Sequence, residues 1–434
     1  IYTLSLHDAL PICVSYDIFF IVGDLMVVIV GTGAGGGILA YELAKDNVPV
    51  TIIEKGSYIK SKYAFNYYDK YNEGIDLLTT TCVGGSTIVS MANMVRALDE
   101  ELLEFGIDLS DAYEYVEKLI NVKPLSDSHI GMGTQLFLDA GNKLGLNTLK
   151  MPKAIREEKC IQCGKCAFGC PVDAKWSGKD FVDKAIEYGA NLITEADIVD
   201  VIVKNNSVKG LIYIKNGKEE SILSDTIVLS AGAIGSTLIL RKVDIEAGNE
   251  IFFDPFVSVG GYLKDIKFNS EVQMGALVIG RNFVLSPHFS SSIKGNIDVN
   301  GVSDKDILSI MVKTSDECRG YVDREGNVVK YNTINDIRYL SEGVATAGFI
   351  LEKAGVDATT IASTVYRGAH PGGTAPIGKV VDNNLKTKID GLYVCDASVL
   401  PISPGKPPIL TILALSKRLS ELTQIGRASC RERV

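Results

Sequence analysis

Met26-Val-Val-Ile-Val30-Gly31-Thr-Gly33-Ala-Gly-Gly36-Gly decides the fold of this chain. An unbroken apolar run of this length reads as a strand buried on both faces. It enters a G-x-G-x-x-G turn. Ile38 to Lys45 then reads as a helix, and Val50-Thr-Ile-Ile53 as a second strand ending in Glu54. A lone glycine triplet of this kind is a weak signal. Here it lies between a strand and a helix, with an acid 23 residues after its first glycine, which is the context of a dinucleotide-binding βαβ unit. The glycines allow a tight turn and let a pyrophosphate approach the helix N-terminus. Glu54 is placed to accept hydrogen bonds from an adenosine ribose, which disfavours a 2′-phosphate.

The second informative stretch is Cys160-Ile-Gln-Cys163-Gly-Lys-Cys166-Ala-Phe-Gly-Cys170-Pro171, which holds four of the nine cysteines. Its spacing, C-x2-C-x2-C-x3-C-P, is that of bacterial ferredoxins. Short gaps let successive sulfurs turn toward one compact inorganic core, and soft thiolates suit iron–sulfur clusters and zinc alike. Zinc is the plainer alternative, although zinc ribbons split their ligands into two separated knuckles. The expected group is a 4Fe-4S or 3Fe-4S cluster on Cys160, Cys163, Cys166 and Cys170, with Cys82 or Cys318 as other sources of a fourth ligand.

The two ends are set aside. Residues 1–12 and 425–434 resemble translations of the two strands of a sequencing adapter, and residues 13–25 read as readthrough before a plausible start at Met26. Without residues 1–12 and 425–434 the net charge goes from −9 to −10. That sign argues against nucleic acid or an anionic membrane as a partner. No segment reads as a membrane span or secretory signal, so a cytoplasmic protein is expected. About 400 residues exceed what one core holds, so two domains are expected.

Beyond the first βαβ unit, Val83-Gly84-Gly85 opens a helical stretch, and residues 99–150 read as mostly helical. Asn205-Asn206 and Asn216-Gly217 punctuate an alternating region between 191 and 229, the mark of an antiparallel meander. Residues 246–360 turn strand-like, with a hairpin at Arg324-Glu-Gly326 and an amphipathic helix from Asn335. A final helix starts at Pro408.

Five blocks in this order resemble the glucose–methanol–choline oxidoreductases, FAD enzymes that oxidise alcohols. They are VGTGAGGG at 30–37, VGGSTIVSMANMVR at 83–96, SAGAIGSTLIL at 230–240, AHPGGTAPIG at 369–378 and GLYVCDASVLPISPG at 391–405. The cysteine run resembles that of an iron–sulfur branch of the family, which includes sugar dehydrogenases. The resemblance implies an α/β fold: a Rossmann-like, glutathione-reductase-like FAD domain over 26–245, carrying the cluster segment 156–178. A smaller α+β substrate domain built on an antiparallel sheet would span 246–364, and residues 365–424 would return to the FAD domain.

The same resemblance gives each residue a role. Gly31, Gly33, Gly36 and Glu54 would hold the adenosine and pyrophosphate, Gly84, Gly85 and Asn93 would lie along the flavin, and the main chain at Val199 would meet the adenine. Asp396 would sit beside the ribityl or pyrophosphate. His370 falls on the catalytic histidine, an apt general base because imidazole titrates near neutrality. His288 is the second candidate. The family places a His or Asn eleven residues after its D-x-S aspartate, and here that position is Pro407, with Lys406 as a nearby donor. The expected activity is oxidation of an alcohol, polyol or sugar by hydride transfer to flavin. Electrons would leave through the cluster to a quinone, a ferredoxin-like protein or another carrier rather than to oxygen. The alternative is an electron-transfer flavoprotein subunit that oxidises no alcohol itself.

Overall fold

The structure, a computed structural model, describes residues 26–72, 76–297, 299 and 301–431. The expected adapter and readthrough residues 1–25 lie outside the described residues, as do 432–434 of the expected tail.

The opening run forms strand β1 (Val27–Val30), helix α1 (Ala34–Lys45) and strand β2 (Val50–Ile53), as read. All eight strand residues are buried, because β1 and β2 belong to a parallel sheet covered on both faces. The sheet runs Leu392–Val394, Thr226–Leu229, β1, β2, Asn191–Ile193, every neighbouring pair parallel. Val27 is in register with Thr226 on one side and Val50 on the other. Helix α1 packs against the helices Gly178–Glu187 and Ile409–Arg431. The last helix therefore closes the FAD-type domain, and its backbone carries on to Arg431, into the residues 425–434 set aside as a tail. The tail it runs into contains no proline to stop it.

The alternating region is the expected meander, three antiparallel strands at Ala196–Lys204, Ser207–Lys215 and Lys218–Leu223. A larger antiparallel sheet forms the second layer. Its order is Ala362–Ser363, Pro255–Tyr262, Ile307–Thr314, Phe283–Pro287, Ala276–Ile279, Thr148–Lys150, with Arg367–Gly368 also pairing on Pro255–Tyr262. One edge strand, Thr148–Lys150, comes from ahead of the cysteine run. Helix Ile334–Lys353 covers one face of this sheet. Its start is fixed by a capping box, in which Thr333 and Asp336 satisfy each other's backbone donors. The sheet and helix carry their own core, with Phe268, Leu285, Ile310, Val312 and Ile350 fully buried. The opposite face of the sheet looks across a cleft toward the glycine turns.

Candidate active site

One cleft of ≈ 1880 Å³ runs between the two sheets. Its nucleotide end is built by the turn after β1. Gly31 has φ +98°, and a Cβ there would stand 2.2 Å from the Ser230 carbonyl oxygen, so only glycine fits. A Cβ at Gly36 would meet the Gly31 carbonyl at 2.0 Å; Gly36 lies behind the wall and lets the helix close on the turn. Gly33 differs: it lines the cleft, and nothing lies within 4 Å of its Cβ position. Open space at the N-terminus of a buried helix is what an anionic pyrophosphate needs. Gly85 lines the cleft beside Gly33, whereas Gly84 stands behind it against Lys179.

Glu54 borders the same end and is buried. Its carboxylate accepts from the Thr32 amide at 3.1 Å, the Thr32 hydroxyl and the Gly56 amide at 2.8 Å. Burial raises its pKa, and these donors oppose the rise. Val199 lines the cleft at a β-bulge: the pairing register shifts between Ile198 and Asp200. A bulge leaves its extra residue outside the ladder, so the Val199 main chain is available to an adenine edge. Asp396 also lines the cleft, but its carboxylate is engaged by Gly232 N at 2.8 Å, Ser236 Oγ at 2.6 Å and Ser398 N at 2.8 Å. It acts by fixing the turn Ala231–Gly232 against the wall. The donor set and the open path along Gly33 fit an FAD.

At the other end, the period of two along the strands sets the lining. Phe256 and Ser258, Met311 and Lys313, and Val284 and Ser286 all face the cleft, with Lys313 in register between Phe256 and Val284. His370 enters on the loop after Arg367–Gly368. Its Nδ1 lies 3.1 Å from Asp254 Oδ2 and 3.0 Å from Lys313 Nζ, and the ring lines the cleft with 24% of the side chain exposed. Nε2 has no partner among the described residues. Lys313 and Asp254 form an ion pair with 1% and 0% exposure. Asp254 holds φ +49°, a strained setting for a non-glycine residue, pinned by Phe253 N and Asp254 N donating to Asp316. Burial alone would raise the Asp254 carboxyl, but Lys313 and His370 outweigh it and hold it below the usual range. His370 is pushed down by burial and then by the Lys313 ammonium, with Asp254 opposing.

His288 lies in the same cleft. Its Nδ1 is buried without a partner, and burial, together with the Arg367 charge, depresses its pKa to about 4. Pro407, Pro408 and Ile409 bring the start of the last helix to the cleft. Lys406, weighed as a donor beside Pro407, is not part of the lining. The polar group there is Lys313, which sequence reasoning missed, together with Asp254.

The cysteine loop forms a second small site. Cys160, Cys163, Cys166 and Cys170 are free thiols that border one cavity of ≈ 20 Å³. That is space for a water rather than a cube of iron and sulfide. Among the described residues no group of three or more His, Cys, Asp or Glu is arranged to hold a metal ion. The metal site expected at the four cysteines is thus not assembled as it stands. Cys82 and Cys318 lie away from this cavity, and burial pushes both thiols up to about 12. Beside the loop lie two buried lysines. Lys153 donates to Met91 O at 2.8 Å and Asn93 Oδ1 at 2.6 Å, and Lys175 to Thr87 O at 3.1 Å and Ile88 O at 2.8 Å. Asn93 lines the main cleft, and Gly164 lines both cavities.

Residues 28–288 match the family model described as GMC oxidoreductase for the N-terminal part, and residues 293–416 the one for the C-terminal part. The chain is 34% identical over 394 residues to the uncharacterized protein MJ1450 of Methanocaldococcus jannaschii, covering 90% of this chain and 97% of that one. Long-chain-alcohol oxidase FAO4B of Arabidopsis thaliana is 25% identical, over 89% of this chain and 65% of that protein. Among solved structures, formate oxidase of Aspergillus oryzae superposes with a TM-score of 0.73 at 16% identity, covering 93% of this chain and 99% of that one. Pyridoxine 4-oxidase from Mesorbium loti gives 0.68 at 15%, covering 92% and 99%. At these identities the structures speak for a shared fold.

Proposed function

The chain belongs to the GMC oxidoreductase family, FAD-dependent enzymes acting on CH–OH donors, and from that premise we propose that it oxidises an alcohol, polyol or sugar with His370 as general base. The observation that carries this reading is the setting of His370: a ring that lines the cleft, with Nδ1 held by a buried carboxylate and Nε2 left without a protein partner. Bound FAD, on Gly31, Gly33, Glu54 and the Val199 main chain, supplies the hydride acceptor. Asp254 orients the ring through Nδ1, and Nε2 takes the hydroxyl proton. Phe256, Val284 and Met311 wall the substrate side and exclude water there, with the Ser258 and Ser286 side chains between them.

The finer reading adds an iron–sulfur cluster on Cys160, Cys163, Cys166 and Cys170, through which electrons pass to an external acceptor. Three features support it. Four thiols border one cavity, two buried ammonium groups beside it bond only neutral oxygens, and Gly164 separates that cavity from the main cleft. Buried cations with neutral partners favour an anionic neighbour. Ile161 and Phe168 expose apolar surface at the loop, a place for a carrier protein. No two described cysteines are bridged, which suits a reducing, cytoplasmic setting. Among the described residues no helix is long and apolar enough to cross a membrane.

The second reading, an electron-transfer subunit without its own alcohol chemistry, rests on Pro407, which offers no side-chain hydrogen bond. Anaerobic mixing with alcohols, polyols and sugars separates the two. Bleaching of the flavin absorbance by one substrate class supports the enzyme. No bleaching by any of them, with reduction by a reduced carrier protein, supports the subunit.

A further inference from the structure

We infer that Lys313 is a positioning residue for the base. Its ammonium neutralises Asp254, and that neutrality keeps His370 uncharged with Nε2 free toward the cleft. The inference rests on the reading of His370 as the base and deepens it. Pro407 leaves the closing loop without a polar side chain at the position the family uses. The second polar group at this end of the cleft arrives instead on the strand Ile307–Thr314.

The cluster is closed on every side. Asp254 Oδ2 meets Lys313 and His370, and Oδ1 accepts from Ser403 Oγ at 2.6 Å and Gly405 N at 3.0 Å. Ser403 and Gly405 belong to the loop that carries Pro407, so Asp254 joins that loop, the strand lysine and the histidine. Behind it, Asp316 pairs with Lys330 at 2.7 Å, a second buried pair whose charges cancel. Arg367, paired with Asp76 at 2.7 Å, and His288 face the same cleft. The charges in direct contact with His370 are therefore one carboxylate and one ammonium. A carboxylate alone at 3.1 Å would draw a proton onto the ring and remove the base. An ammonium alone would claim the Nδ1 lone pair and turn an N–H toward the substrate. Together they leave a neutral ring, with Nδ1–H donated to Asp254 and Nε2 open. When Nε2 takes the hydroxyl proton, the substrate oxygen is left as an alkoxide and the imidazolium forms against Asp254, while no other side chain of the cluster changes charge.

Acylation of His370 by diethyl pyrocarbonate tests this in the flavin-bound protein. The rate is followed against pH by mass spectrometry, with His370→Ala as the blank. The readout needs no alcohol substrate, so its failure is distinct from failure of the proposed activity. In the native protein the midpoint should fall below the ordinary histidine value. Lys313→Met should raise it by about 1–3 pH units, the effect of an uncompensated charge at this range. Lys313→Met with Asp254→Asn removes both charges and should bring the midpoint back within about half a unit of the native one. A purely structural lysine would give no such reversal. An unchanged midpoint in Lys313→Met overturns the inference. If that variant does not hold its flavin, the neutral double variant decides, and a midpoint more than about one unit from the native value overturns it.

Discussion

Lys153 Nζ lies 2.6 Å from the side-chain oxygen of Asn93, and so ties the strand just ahead of the cysteine segment to the wall of the main cleft. Asn93 occupies the same stretch as the Gly84–Gly85 turn, and Lys153 pairs with it through the backbone as well. Lys153 is 1% exposed, and both of its acceptors are neutral. The contact therefore sets a titratable amine deep in the fold, next to thiols and one residue away from the space expected to hold the flavin.

That placement has a measurable consequence in protein free of any cluster. Burial depresses Lys153 from 10.5 to about 7. Between those values the unfolded chain keeps a proton that the folded chain lacks, so stability rises with pH. The contribution is complete above 10.5 and is lost as pH falls to about 7. One such group gives a slope of at most about 1.4 kcal/mol per pH unit. Denaturant unfolding at several pH values from 7 to 10 should show a shallower rise in Lys153→Met than in the native chain. Equal slopes would mean that Lys153 is charged in the fold.

Two glycines two residues apart, Gly31 and Gly33, should separate folding from binding. Gly31→Ala forces a Cβ to 2.2 Å from the Ser230 carbonyl at φ +98°, so little folded protein is expected. Gly33→Ala meets no atom within 4 Å and should fold with a Tm near that of the native apoprotein. Its methyl group enters the pyrophosphate path, and flavin occupancy should drop about tenfold or more, a loss of about 1.4 kcal/mol. Full flavin content in folded Gly33→Ala would place the nucleotide elsewhere.

The two cleft histidines should behave differently. His370→Ala is expected to slow substrate-driven flavin reduction about 10²–10⁴-fold, the usual worth of a general base, with flavin content intact. His288, depressed to about 4, is a weak base at neutral pH and has no carboxylate partner. Its replacement by Ala should raise KM and change the reduction rate by less than about tenfold. The reverse ranking would move the base to His288.

Much of the FAD-type domain was legible because its signals are local. A four-residue apolar run, a glycine turn and a terminal acid lie within thirty residues, and an Asn-Asn and an Asn-Gly turn mark the meander. The cleft's other end was not, because its residues come from far apart. Lys313 and Asp254 are 59 positions apart, and Asp254 and His370 are 116 apart. A lysine near the end of a strand reads as an exposed face, and an aspartate between Phe253 and Pro255 reads as a loop. Only the register of Pro255–Tyr262 against Ile307–Thr314 turns them inward together. The edge strand Thr148–Lys150 was hidden for the same reason, since its partner Ala276–Ile279 follows more than a hundred residues later. The cysteine spacing was plain, but spacing alone does not gather four thiols around a metal.

The cysteine loop gives the last prediction, concerning where electrons go. Protein purified anaerobically should contain iron and acid-labile sulfide in near-equal amounts, because both candidate clusters do. One zinc and no sulfide would instead assign the thiols to a structural ion. Cys166→Ser should lose the iron and keep the flavin, since the thiol lies outside the main cleft. With a working substrate, a relay makes two separable demands. The rate of flavin reduction by substrate should survive in Cys166→Ser, because His370 and its partners are untouched. Turnover with an acceptor dye too large to enter the cleft should fall at least about tenfold, because electrons then lack an exit at the exposed loop. In the native protein that dye should outpace peroxide formation in air. Peroxide matching substrate consumption would assign the chain to oxygen chemistry, and equal dye turnover in Cys166→Ser would leave the cysteines a structural role only.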